Sequence, residues 1–260
     1  MGNLLYDFSG RKVLVTGGSR GIGYGVAEGF ARAGADVTVL ASGEGVHAAA
    51  CALEAKVGRR VSGRQCDITD SAQVQSTLQD IGVLDVLVNN AGLERITPLC
   101  DPDPAVEETF RRIIDINVIG TFLVTRHAVP QIRDGGRILV TASIWSRTAV
   151  PEFSAYVASK HANLGFMRAI AHELGPRGIT VNAICPGWVR TDAAMRSLSA
   201  MAERSGRPEA DLLDEIAGAQ VLDGLMDPAD MASLYLFLAS DEARDITGQA
   251  YMLDRGEVMA

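Results

Sequence analysis

Short apolar runs alternate along this chain with longer stretches in which apolar positions recur every three or four residues, the two periods of strand and helix. Lys12–Thr16 predicts a strand and Gly21–Ala33 an amphipathic helix closed by Gly34. Val37–Leu40, Val46–Lys56, Arg60–Cys66 and Ser71–Ile81 repeat the alternation of strand and helix. Leu84–Asn89 hardly alternates, as expected of a parallel strand buried on both faces. One long helix is expected over 105–129, stopped by Pro130, then a strand at Arg137–Thr141. A helix at Ser154–Leu174 ends at Gly175-Pro176, and Ile179–Ile184, Ala229–Leu238 and Ala250–Leu253 complete the series. The order implies an α/β fold, doubly wound, with a seven-stranded, mostly parallel sheet and helices on both faces. No repeat or linker divides residues 1–260, so a single domain is expected.

Residues 190–225 break the rhythm. They are helical in texture at Ala193–Glu203 and Ala210–Ala217, with Gly206-Arg207-Pro208 between. An insertion there falls at the carboxyl ends of the strands, where ligands of such folds bind, so it reads as a substrate lid.

Composition narrows the function classes. A net charge of −8 with no basic cluster excludes a phosphate-backbone partner. No run reaches the ~18 apolar residues of a membrane span. Residues Met1–Tyr6 lack a basic region, and Tyr6 stands where a myristoylation signal at Gly2 needs Ser or Thr, so a cytoplasmic location is expected. Cys51, Cys66, Cys100 and Cys185 have no paired spacing, and the histidines no ligand pattern, so no metal and no disulfide is expected.

Two segments carry chemistry. Thr16–Gly23 follows the first strand and opens the first helix; glycines there let the backbone approach a pyrophosphate, whose charge suits the free N–H groups of the helix start. Tyr156 and Lys160 stand four apart on a predicted helix and share a face. An ammonium beside a phenol favours the phenolate, so Lys160 is expected to draw the Tyr156 pKa down from about 10, toward an acid/base for interconverting alcohol and carbonyl.

These segments, together with Asn89-Asn90-Ala91-Gly92, Asn117, Ser143 and Pro186-Gly187, resemble the short-chain dehydrogenase/reductase family from about Leu5 to Leu253. The resemblance implies a Rossmann-type domain and assigns Tyr156 as general acid/base. Lys160 would hold the nicotinamide ribose, Ser143 the substrate oxygen, and Asn117 a water in a proton relay. Gly17, Ser19, Arg20, Gly21, Ile22 and Gly23 would take the pyrophosphate, while Asp67 and Ile68 would meet the adenine. Asn89, Ala91 and Gly92 would line the adenosine side, and Pro186, Gly187, Val189 and Thr191 the nicotinamide end. It also implies a homotetramer built through helices 105–129 and 154–174.

Cofactor choice is open between NADP and NAD. Ala41 and Ser42 stand where NAD enzymes of this family carry Asp, and Arg20 and Ser42 could both contact a 2′-phosphate, which favours NADP. Glu44, bending back to the ribose, would favour NAD. Residues 182–191 and the lid are similar to 3-hydroxybutyrate dehydrogenases, but Glu94, Trp145, Phe153 and Ser197 replace the Gln, His, Lys and Gln that bind the carboxylate there; Trp188 matches. Glu94, Trp145, Phe153 and Trp188 therefore predict a small neutral substrate, a cyclic or aromatic alcohol or a sugar-like polyol. An acyl-thioester β-ketoreductase, a small hydroxy-acid dehydrogenase and a non-catalytic dinucleotide sensor are the competing readings.

Overall fold

The alternation predicted from the sequence runs through the computed structural model, which describes residues 6–259; residues 1–5, with the Gly2 reading, lie outside the described residues. The first half contains β1 (Lys12–Thr16), α1 (Gly21–Arg32), β2 (Asp36–Ala41), α2 (Gly45–Val57), β3 (Val61–Gln65), α3 (Ser71–Ile81) and β4 (Leu84–Asn89). The second contains α4 (Ala105–Ile114), α5 (Thr121–Ala128), β5 (Ile132–Thr141), α6 (Ser154–Leu174), β6 (Thr180–Pro186), α7 (Asp192–Ser205), α8 (Glu209–Gly218), α9 (Ala232–Ala239) and β7 (Ala250–Leu253). The strands form one sheet in the order β3-β2-β1-β4-β5-β6-β7, with every pair parallel. Strand order reverses between β1 and β4, and the loops leaving those two strands part there to open a crevice.

Both sheet faces are covered, which is why β4 does not alternate: all six of its residues are buried. Val13, Val15, Val39, Phe30 and Tyr235 pack on one face, and Leu14, Leu87, Ile138, Val140 and Met167 on the other. Trp188, Leu198, Ala202 and Leu212 form a separate small core under α7 and α8.

The helix expected over 105–129 is interrupted. Asp115–Gly120 forms a wider π-helical turn between α4 and α5. A single widened turn is too short to show against an apolar spacing of three or four residues, so the sequence pattern does not reveal it. Its consequence is to bury Asn117 completely. Among the described residues no helix is long and apolar enough to cross a membrane, and no group of three His, Cys, Asp or Glu could hold a metal ion.

Candidate active site

The crevice is a cleft of about 720 Å³, within the range of small-molecule and cofactor sites. Its first wall is the turn between β1 and α1, where Gly17 and Gly21 have φ of 65° and 57°, a region that disfavours side chains. Gly23 lies beneath this turn, where an added Cβ would stand 2.4 Å from both Asn90 Nδ2 and Gly17 O. Asn90 ties the turn to β4: its Nδ2 donates to Thr16 O at 3.0 Å, and its backbone N–H donates to Thr16 Oγ1 at 2.9 Å. The start of α1 has no side-chain cap, whereas Asp70 caps α3 and Thr191 caps α7. An uncapped helix start facing a cleft offers unpaired N–H groups and positive dipole to an anion.

Gly17, Ser19, Arg20, Gly21 and Ile22 line this wall; Ser42, Asp67 and Ile68 line the adjoining end, and Ala91 and Gly92 the floor. Pro186, Gly187, Val189 and Thr191 form the opposite wall. Asn89 does not belong to the cleft. It is buried, and its Nδ2 donates to Thr125 Oγ1 on α5 at 2.9 Å. As the last residue of β4 it points to the helix layer, and only after the strand ends does the chain turn toward the crevice. Burial would raise the Asp67 carboxyl, but hydrogen bonds from Thr69 and the Arg112 charge hold it below its ordinary value. Arg112, which the sequence reading missed, lies 3.7 Å from Asp67 and shares its wall.

At the other end, the first turns of α6 bring Tyr156 and Lys160 to the cleft with Ser143, which follows β5. Lys160 Nζ lies 5.4 Å from the Tyr156 ring centre and donates to Thr141 O at 2.8 Å. Burial pushes Lys160 down to about 8, against the upward pull of Glu94 and Cys185. The expectation for Tyr156 is corrected: burial and the Glu94 carboxylate push its phenol up, outweighing a hydrogen bond from Ser143. Spacing pointed to Lys160 alone, whereas desolvation is the larger effect. Asn117 is off the cleft wall. Its Oδ1 accepts from Leu93 N at 2.7 Å, and its Nδ2 donates to Leu93 O at 3.0 Å and Ser159 Oγ at 2.9 Å. It clamps the strand exit beside Gly92, where an added Cβ would lie 3.3 Å from Asn117 Oδ1 and 3.7 Å from Lys160 Nζ.

Glu94, Trp145 and Trp188 close this end. The Trp145 ring stands edge-on to Tyr156 at 5.9 Å and to Trp188 at 6.2 Å. The expectation for Phe153 is also corrected: it is 1% exposed, outside the cleft wall, with its ring 5.1 Å from Trp145. It supports the indole from behind and meets no substrate. Burial raises the half-buried Glu94, against a hydrogen bond from Ser197 on α7 and the charges of Lys160, Arg95 and Arg196. Arg95 and Arg196 line an adjoining open hollow of about 590 Å³ that shares Asp192 with the cleft. The far end of α7 is pinned by Arg204, which meets Glu152 at 2.7 Å and Asp101 at 3.5 Å. Behind Gly187, the turn at Asp254-Arg255-Gly256 is ordered by Asp254, whose carboxylate accepts from Gly256 N and Val258 N at 3.0 and 2.8 Å.

Known proteins share this architecture over nearly their whole length. D-beta-hydroxybutyrate dehydrogenase of Cupriavidus necator is 35% identical over 257 residues, 96% of this chain and 98% of that protein. Hydroxynaphthalene reductase arp2 of Aspergillus fumigatus is 34% identical over 253 residues, 94% and 90% of the two chains. L-sorbose reductase of Gluconobacter frateurii, solved with NADPH and L-sorbose, superposes with a TM-score of 0.89 at 28% identity, over 99% of this chain and 100% of that one. A family model described as enoyl-(acyl carrier protein) reductase matches residues 17–257. Taken with the parallel sheet and its cleft, these likenesses mean that the chain belongs to the short-chain dehydrogenase/reductase family and is an NAD(P)-dependent oxidoreductase acting on CH–OH groups.

Proposed function

We propose that the enzyme interconverts a small neutral secondary alcohol and its ketone, the substrate being cyclic, aromatic or sugar-like, and that it prefers NADP(H). One arrangement supports the reading. A single cleft runs from the uncapped start of α1 to Tyr156. Around Tyr156 its walls carry two indoles and Glu94 and, among the described residues, no cation other than Lys160; Arg95 and Arg196 line the adjoining hollow instead. A carboxylate substrate would have no guanidinium to meet there and would face Glu94, at a desolvation cost without compensation. That separates this chain from its hydroxybutyrate-oxidising relative and aligns it with the relatives named for a hydroxynaphthalene and a sugar.

The chain's residues fit a dinucleotide. The N–H groups opening α1 and Ser19 would hold the pyrophosphate, Asp67 and Ile68 the adenine, and Arg20 with Ser42 a ribose 2′-phosphate. No carboxylate lines the cleft at the end of β2, and Glu44 is exposed off its wall. Bound there, the nicotinamide supplies the hydride donor or acceptor. Ser143 would hydrogen-bond the substrate oxygen, and Tyr156 would protonate it in reduction or take its proton in oxidation. Lys160 would hold the ribose hydroxyls, with Asn117 fixing the backbone beside it and a water of the relay. The α7–α8 pair, seated on Trp188, would close over the substrate. Phe110, Ile119 and Phe122 leave apolar surface along 105–129, which supports assembly of copies through those helices.

A screen of cyclic, aromatic and sugar ketones and alcohols with both cofactors tests this, with turnover of neutral compounds expected on NADP(H). A hundredfold preference for NAD, or 3-hydroxybutyrate as the best substrate, would overturn the corresponding half. Tyr156→Phe should lose about 1,000-fold in kcat while binding NADPH within about threefold of the parent. A second reading, reduction of an acyl thioester, draws on the hollow beside Ser197, where Arg95 and Arg196 could meet the phosphate of a pantetheine arm. A β-ketoacyl thioester in the same screen decides it.

A further inference from the structure

We infer that Tyr235, on the side of the sheet away from α6, is a positioning residue that sets Lys160 through Thr141. The inference rests on the reading of Lys160 as part of the active site. At Thr141, the last residue of β5, three layers meet. Lys160 comes from α6 and donates to the Thr141 carbonyl at 2.8 Å, the one hydrogen-bond acceptor that Nζ has among the described residues. Tyr235 comes from α9, packed in the core of the other face, and its hydroxyl lies 2.7 Å from Thr141 Oγ1. The phenol is fully buried, and Thr141 Oγ1 is its hydrogen-bond partner among the described residues.

The geometry makes the peptide after Thr141 a hinge with two pins. Ala142 N donates to Ile184 O at 2.7 Å, which fixes the plane from β6. On the β4 side the ladder stops at Asn89 opposite Val140, so no neighbouring strand fixes the Thr141 carbonyl. Beside the ladder pairing of β5 to β4 and β6, Tyr235 restrains residue 141 through its side chain. Through this contact α9 packs against the end of β5, so its loss lets the end of the strand shift, and with it the carbonyl that Nζ meets. Lys160 has few alternatives, since the titratable groups facing it are Tyr156 on its own helix, Glu94 after β4 and Cys185 on β6.

The test compares Tyr235→Phe, Thr141→Val and the double variant. Each single change strands a buried hydroxyl or leaves its partner unpaired, and both should lower Tm; removing the pair together should recover most of that loss. The readout that a purely structural role would not move is the titration of Lys160, followed in the protein without cofactor by pH-dependent acetylation and mass spectrometry. All three variants should show it displaced downward by about half a pH unit or more, because a loosened carbonyl no longer favours the charged form. They should also lose roughly tenfold in kcat on the best substrate of the screen, with the pH profile moved in the same sense. A double variant that regains the parental Lys160 titration along with its Tm would overturn the inference. So would single variants that lower Tm and leave the titration in place. Should Lys160→Ala keep full turnover, the proposed active site fails instead, whatever the Tyr235 variants do to the titration.

Discussion

The two ends of the cleft are built by different means. The proposed dinucleotide end is backbone: glycines at 17, 21 and 23, an uncapped helix start and a turn tied down by Asn90. The proposed substrate end is side chains from four separate places, with Glu94 after β4, Trp145 after β5, Trp188 after β6 and Ser197 on α7. A backbone site tolerates little substitution: an added Cβ at Gly17 or Gly23 collides with main chain, and Gly21 holds a φ that side chains disfavour. A side-chain site can change specificity one residue at a time while the scaffold stands.

The largest effect expected is at the backbone end. Gly23→Ala puts a methyl 2.4 Å from Asn90 Nδ2 and Gly17 O, so the turn must open, at about 1–3 kcal/mol in stability. NADPH affinity by fluorescence titration should fall at least about a hundredfold, since the helix-start N–H groups move with the turn. Binding within threefold of the parent would break the contrast between the two ends.

Glu94→Gln probes the other end and should leave NADPH binding alone. Loss of one charged acceptor should raise KM for hydroxylated neutral substrates roughly 10- to 30-fold. Because Glu94 raises Tyr156, its neutralisation should also move the basic limb of the pH–rate profile to lower pH. An unmoved limb with unchanged KM would take Glu94 out of the site. Ser42→Asp sharpens the comparison inside the dinucleotide end: a carboxylate beside a 2′-phosphate should cost NADPH about tenfold in affinity and leave NADH unaffected or improved.

The smallest effect lies behind Gly187 and should touch neither end. Burial and the neighbouring Asp254 push Glu257 up to about 7 from 4.5. Between those values the folded state holds more protons than the unfolded one, so Glu257 makes stability fall as pH rises through that window. Glu257→Gln should remove the slope and, at pH 8, be more stable by on the order of 1 kcal/mol in urea unfolding. Its KM and kcat should match the parent.

How much of this was legible follows the same division. The strands, the sheet and the glycine turn could be read because each is a local pattern with one physical cause. Tyr156 and Lys160 could be read because four residues on a helix make a contact by themselves. Phe153 could not: it precedes Tyr156 by three, and the chain gives no sign that it lies behind Trp145 instead of beside the substrate. Asn89 and Asn90 are adjacent and alike, yet one faces α5 and the other the glycine turn. Thr141 carried no signal at all, since its carbonyl holds Lys160 and a carbonyl is the same at every residue.

The sequence by itself determined the order of elements, the placement of the glycines and the one helical turn that joins Tyr156 to Lys160. All of these depend on interactions between residues a few positions apart. Tertiary structure decided which residues share the cleft, that Asn117 clamps Leu93 from a widened turn, and that Tyr156 is pushed up. Those outcomes depend on burial and on charges such as Glu94, 62 residues away along the chain, and desolvation is a property of the surroundings that no residue carries alone.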